Sequence, residues 1–174
     1  MNHEAMQFDK VLSDGQLERM GVNPSLYPGV QVCLRPISNS RYTDRHVIFR
    51  ALDPEMLGIG TSRLMHLAGT AEIRLGLSQT RRVEDWVLGR PGRGAPDARA
   101  TIDGQPAVIE FDTCSYGTRA VEKKIAAFRA EGHVVWGTTS RLRADRMAQR
   151  YPDVTVLYVP WWDGVEERAS ALAG

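Results

Sequence analysis

Pro96-Asp97-Ala98-Arg99-Ala100-Thr101-Ile102-Asp103-Gly104-Gln105-Pro106-Ala107-Val108-Ile109-Glu110-Phe111-Asp112-Thr113 is the stretch from which the rest of the chain can be ordered. Asp103-Gly104 separates two strand-like runs, and Asp-Gly is favoured in the two-residue type I′ turn because both loop positions need positive φ. A hairpin is predicted. With a two-residue loop Ile102 stands opposite Gln105, and counting outward brings Asp97 opposite Glu110. Directly opposed residues on an antiparallel pair have Cβ atoms about 4.5–5.5 Å apart, where like charges destabilise the sheet. Asp112 follows Glu110 by two residues, so the strand period projects it from the same face. A divalent cation would relieve the repulsion among Asp97, Glu110 and Asp112, and hard oxygen ligands favour Mg²⁺ or Mn²⁺. The alternative is a solvated sheet face with ordinary arginine partners such as Arg99. Val108, Ile109 and Phe111 around the acid argue for an enclosed position. The inference depends on the turn, since a three-residue loop would oppose Asp97 to Phe111.

Downstream, the spacing of Val121, Ile125 and Phe128 predicts a helix over 118–131, with Gly132 as its stop. At about 100° per residue Lys124 borders that apolar stripe and Lys123 points almost opposite, so Lys124 is the one able to reach inward. An ammonium near the carboxylates could position an attacking water and steady charge building on a phosphoryl group; the alternative is a lysine whose stem lies along the surface. HVVWGTT, beginning at His133, reads as a short buried strand, RLRADRMAQRY as an amphipathic helix and VTVLYVP as another strand.

Upstream, Leu64, Leu67, Ala68, Ala71 and Leu75 predict a helix over 62–76, and RRVEDWVLG reads as a strand by the alternation of Val83, Asp85 and Val87 against Glu84, Trp86 and Leu88. From residue 62 the order is helix, three strands, helix, strand, helix, strand: a mixed sheet with helices packed on it, an α/β layered domain. Residues 1–61 give less. Ser13 to Met20, ended by Gly21, is a short helix candidate, and VNPSLYPGVQVCLRPI is broken by Pro and Gly.

Composition narrows the class. With 43% hydrophobic and 25% charged residues in 174, one globular domain with a small attached module is expected, and a net charge of +1 excludes a uniformly basic binder. The start of the chain, MNHEAMQFDKVLSDG, lacks the basic and apolar runs of a signal peptide, and no stretch approaches the roughly 20 apolar residues of a membrane helix, so a cytoplasmic protein without a membrane partner is expected. Cys33 and Cys114 lie far apart without CxxC or Cys/His spacing, which suggests reduced thiols, not a zinc site or a disulfide framework. The only lysines are Lys10, Lys123 and Lys124.

Pro96-Asp97, then Glu110-Phe111-Asp112, on this order of elements resembles the PD-(D/E)xK nuclease superfamily, whose restriction-endonuclease-like core is helix, three-stranded antiparallel meander, helix, strand; an additional helix and strand follow here. The lysine usual two residues after the acid is Asp112 in this chain. Some members place it on the next helix, which is where Lys124 lies. More narrowly, Glu110, Asp112, Lys124, Ile125 and Phe128 resemble the nuclease-like half of plasmid replication-relaxation proteins. The resemblance covers about residues 62–160. It implies Asp97, Glu110, Asp112 and Lys124 as catalytic, a Mg²⁺ or Mn²⁺ cofactor, and Glu72 or His66 as a helix residue approaching the metal. It divides the chain into residues 1–61, a degenerate winged helix or an extension, and 62–174, the nuclease-like domain.

Three functions follow as expectations. The first is a metal-dependent DNA endonuclease acting in replication, recombination, repair or mobile-element biology, with Arg81, Arg82, Arg119, Arg141 and Arg143 on phosphates, contacts that position without reading sequence. The second is a non-catalytic DNA-binding replication-control protein that keeps the fold. The third is a subunit recruiting partners through YVPWWDG, where Trp161 and Trp162 read more readily as packing than as an interface. A homodimer is compatible with any of these.

Overall fold

The computed structural model describes residues 2–37, 44–90, 92 and 94–163. It is a mixed α/β protein with a three-stranded antiparallel sheet and a five-stranded mixed sheet. The chain divides into two compact units, whose described residues are 2–36, 44–72 and 160–163 for the first and 37, 73–90, 92 and 94–159 for the second. This division falls after Glu72, inside a helix, and the described residues 160–163 belong to the first unit. Among the described residues no helix is long and apolar enough to cross a membrane.

The first unit holds α1 (Asn2–Asp9), β1 (Val11–Ser13), α2 (Asp14–Arg19), β2 (Gly29–Leu34) and β3 (Arg45–Ala51), with strand order β1-β3-β2. α2 carries a capping box: Ser13 Oγ accepts from Gln16 N at 3.2 Å, and Gln16 Oε1 accepts from Ser13 N at 2.9 Å. Gly21 follows with φ +70°. Trp161 is fully buried here, stacked on Phe49 at 5.4 Å and edge-on to Trp162 at 5.8 Å. That packing leaves Trp161 no surface with which to recruit a partner. α3 (Thr61–Leu77) begins in this unit, with Leu64, Leu67, Ala68 and Ala71 buried. Over its last five residues Ile73 and Leu77 are buried where Leu75 was expected, because those residues belong to the second unit's core.

In the second unit, β4 (Val83–Leu88), β5 (Ala98–Ile102) and β6 (Gln105–Asp112) form an antiparallel meander, and β7 (His133–Thr138) and β8 (Thr155–Tyr158) extend it in parallel. Asp103 and Gly104 have φ of +50° and +79°, the two positive values that a type I′ turn requires. The register follows: Ile102 pairs with Gln105 and Ala98 with Ile109. The alternation expected along β4 fails, since a bulge between Glu84 and Val87, with Asp85 at φ +51°, buries Trp86 and leaves Val87 63% exposed. β6 is buried on both faces over its last six residues, as befits a strand flanked by parallel and antiparallel neighbours. α4 (Thr118–Phe128) and α5 (Arg141–Arg150) pack on one face through Val121, Ile125, Phe128 and Met147, against Val108, Val134 and Trp136. α4 ends at Phe128, three residues short of its expected end at 131.

Candidate active site

Asp97 is placed by the strands on either side of it. Gly89, just beyond β4, donates its N–H to Asp97 O at 2.7 Å, and a Cβ at Gly89 would run into the Pro96 carbonyl, so only glycine permits this approach. Toward β6 the ladder does not continue to a square Asp97–Glu110 pair. Asp97 N donates to Ile109 O at 3.0 Å and Asp97 Oδ2 accepts from Phe111 N at 2.9 Å. The departure has a physical reason. A short carboxylate competes with main-chain carbonyls for strand N–H groups, and here that bond replaces a direct like-charge opposition.

Glu110 is only 1% exposed. Its Oε1 is ion-paired with Lys124 Nζ, while its Oε2 is buried without a hydrogen-bond partner. Burial first, and the Asp97 charge second, push the Glu110 carboxyl up to about 7. The Lys124 ammonium opposes the rise, and the Tyr116 hydroxyl does so more weakly without completing a hydrogen bond to Oε2. Burial alone would lower the Lys124 pKa, yet the bond and charge of Glu110, with a smaller contribution from the Tyr116 hydroxyl, more than reverse this, so it lies above the ordinary lysine value. Lys124 Nζ lies 4.8 Å from the Tyr116 ring centroid and 5.7 Å from that of Phe128. Lys123, on the outward side of α4, is exposed.

Asp112 lies toward the same helical layer but is committed elsewhere. Its fully buried carboxylate accepts from Arg143 Nη2 at 2.5 Å through Oδ2 and from Ser115 N at 3.1 Å through Oδ1. Comparison with family models, curated proteins and solved structures found no match. Among the described residues no three His, Cys, Asp or Glu side chains converge to hold a metal ion. The expected three acids are sorted instead into two arrangements, Asp97–Glu110–Lys124 and Asp112–Arg143, because cations from α4 and α5 reach the two acids of β6 separately.

The remaining expected residues lie on several elements. Glu72, in the first unit, accepts from Arg19 at 2.6 Å and from Gln16 at 3.0 Å, and His66 is half-buried on the same stretch of α3. Arg81 pairs with Asp103 at 2.9 Å and Arg82 with Glu84 at 2.7 Å. Both therefore sit at the hairpin turn, roughly 20 Å from Glu110 at about 3.3 Å per residue along β6. Arg99 pairs with Glu131 and serves none of the three acids. Arg143 is taken by Asp112, whereas Arg119, exposed at the start of α4, and Arg141, 5.1 Å from the Tyr158 ring, lie at the carboxyl ends of β6 and β8. Tyr116 was missed. It lies between β6 and α4, where neither strand nor helix periodicity assigns it a face; its one sequence signal is an aromatic on the loop leading to the lysine-bearing helix.

Proposed function

We propose that the second unit is a PD-(D/E)xK-type domain that hydrolyses DNA phosphodiester bonds with Mg²⁺ or Mn²⁺. The observation that carries this reading is the buried Glu110 Oε2, an unsatisfied acceptor beside a second carboxylate. A buried carboxylate oxygen without a partner is costly, and a hard cation is the ligand that suits oxygen donors. Asp97 and Glu110 would hold the ion, and the donor set fits it. When bound, such an ion supplies Lewis-acid polarisation of a phosphoryl oxygen and acidifies its water. Lys124 keeps its proton at neutral pH and holds a fixed positive charge beside Glu110, able to offset negative charge growing on phosphorus. The carboxyl ends of parallel strands are the usual ligand-binding edge of such sheets, and β6 ends there at Asp112. Arg119 and Arg141 at that edge would contact DNA phosphates.

Nicking of supercoiled plasmid with Mg²⁺, Mn²⁺ or EDTA tests the proposal. Cleavage that needs metal and is lost in Glu110→Gln supports it. A protein that binds no DNA at low salt defeats it.

A specific observation favours a second reading, a DNA-binding replication-control protein without catalysis. Asp112 stands where the superfamily's usual lysine would, and it is neutralised by Arg143. Duplex binding without metal-dependent cleavage on any substrate would select this reading. The first unit supports DNA binding only in part. Its β1-β3-β2 order after short helices is compatible with a reduced winged helix, with β2 and β3 as the wing. Between α2 and β2, where a recognition helix would enter the major groove, there is only the 3-10 turn Pro24–Leu26.

A further inference from the structure

The Asp112–Arg143 pair has a second set of partners that gives it a role apart from metal binding. Arg143 Nη2, which donates to Asp112 Oδ2, also donates to the main-chain carbonyl of Tyr116 at 2.8 Å. Asp112 Oδ1 in turn accepts the N–H of Ser115. Two consecutive residues of the loop between β6 and α4 are thereby tied to one buried ion pair. The chain enters this loop through Cys114 at φ +67°, a conformation that a non-glycine residue keeps only where its surroundings enforce it.

The tied residue carries the ring that contacts Lys124. The Tyr116 ring packs edge-on against Trp136, with centroids 6.2 Å apart and planes at 68°, and Lys124 Nζ stands 4.8 Å from its centroid. A lysine side chain has four rotatable bonds and a hydrated head, so an ion pair with Glu110 alone does not fix its course. An aromatic face on one side and a carboxylate on the other do.

We propose that Asp112 and Arg143 are positioning residues acting through Tyr116: the pair holds the 115–116 main chain, the held loop sets the Tyr116 ring, and the ring aims the Lys124 ammonium at Glu110. Asp112 is then a brace, not a metal ligand, and Arg143 is a brace, not a phosphate contact. This rests on the nuclease reading for its purpose, but the geometry it asserts can be measured without cleavage.

The chain has three lysines, Lys10, Lys123 and Lys124, so ¹³C-lysine labelling of the whole metal-free protein gives three ε-methylene signals, assigned with Lys124→Arg. The Lys124 signal should be displaced upfield by the Tyr116 ring. Tyr116→Phe should keep the displacement, and Tyr116→Leu should abolish it. Arg143→Met should abolish it as well, Arg143→Lys should restore part of it, and Asp112→Asn should reduce it. A Lys124 signal unmoved in folded Arg143→Met, or in Arg143→Lys and Asp112→Asn should Arg143→Met not fold, overturns the proposal. So does loss of Mn²⁺ binding in Asp112→Asn as complete as in Glu110→Gln. Plasmid nicking separates the two claims. If Lys124 responds as stated but the parent cleaves nothing, the brace stands and the nuclease reading fails; if the parent cleaves and Lys124 ignores Arg143, the reverse holds. With cleavage present, Tyr116→Leu should lower kcat about tenfold with little change in KM for DNA, and adding Arg143→Met should cost little more, since residues acting in series are not additive.

Discussion

Asp97 brackets Glu110: its N–H binds the carbonyl of Ile109, one residue before the glutamate, and its carboxylate binds the N–H of Phe111, one residue after. The bracket fixes a second negative charge beside a buried carboxylate whose Oε2 has no partner. Two consequences follow for solution behaviour, one for ion binding and one for folding.

A proton and a divalent cation compete for Glu110. Its pKa is raised to about 7, so Mn²⁺ affinity should rise as pH passes from 6 to 8 and level off above. Titration calorimetry at several pH values checks this, and Glu110→Gln should give weak binding without the rise. Stability should move the other way. A carboxyl whose folded pKa exceeds its ordinary value of 4.5 favours folding in its protonated form, so the metal-free protein should lose stability as pH rises from about 4.5 through 7, with no further loss from this group above. Urea unfolding across that window should show a drop in the parent that is absent in Glu110→Gln.

Lys124 and Lys123 should behave as opposites. Lys124→Ala leaves the Glu110 charge buried and unpaired, which should cost about 3 kcal/mol at pH 8. The cost should shrink toward pH 5, where Glu110 is protonated. Lys123→Ala removes an exposed side chain and should stay within about 0.5 kcal/mol at either pH. Denaturant melts of the two variants decide, and equal losses would remove the inward assignment.

The same contrast shows where sequence carried information. Adjacent lysines were separable because α4 buries Val121, Ile125 and Phe128 on a regular 3.6-residue stripe. The β5–β6 register was legible because Asp-Gly demands one turn type, and the turn dictates the pairing. The first unit's sheet was not. β1 is three residues long and pairs with β3 from 36 to 40 positions away, so no local pattern marks either as a partner. For Asp112, strand parity gives the face and cannot give the partner. Arg143 lies 31 residues further on, on a helix whose placement only the packed layers determine. Glu72 was placed near the metal by resemblance alone, and two of its partners, Gln16 and Arg19, come from the stretch of sequence that said least.

Gly89 should be as necessary to ion binding as a ligand is. Gly89→Ala forces a methyl into the Pro96 carbonyl and must displace the main chain at Asp97, costing about 1–3 kcal/mol and weakening Mn²⁺ binding tenfold or more. Gly76→Ala is the matched control: it faces open space on α3, and should raise stability by about 0.5–1 kcal/mol with binding unchanged. Calorimetry on both variants tests the pair. Unaltered Mn²⁺ binding in folded Gly89→Ala would show that Asp97 does not need its bracket.

Salt dependence should sort the arginines into those that touch DNA and those that do not. Each phosphate contact removed should reduce the slope of log K against log salt by about one, because fewer counterions are released. Arg119 is exposed at the start of α4 and Arg141 leads α5, both near the end of the sheet where β6 carries Glu110 and Asp112. Arg119→Ala and Arg141→Ala should therefore each lower the slope. Arg81 and Arg82 hold Asp103 and Glu84 at the hairpin turn, so a double alanine variant should leave the slope unchanged. Glu110→Gln should bind duplex as tightly as the parent in EDTA, or slightly more tightly, since it removes negative potential without removing a cation. Fluorescence titrations of labelled duplex over a range of salt concentrations measure all four. If the Arg81/Arg82 variant alone loses slope, DNA lies across the turn of the hairpin, and the carboxylates at its other end take no part in binding it.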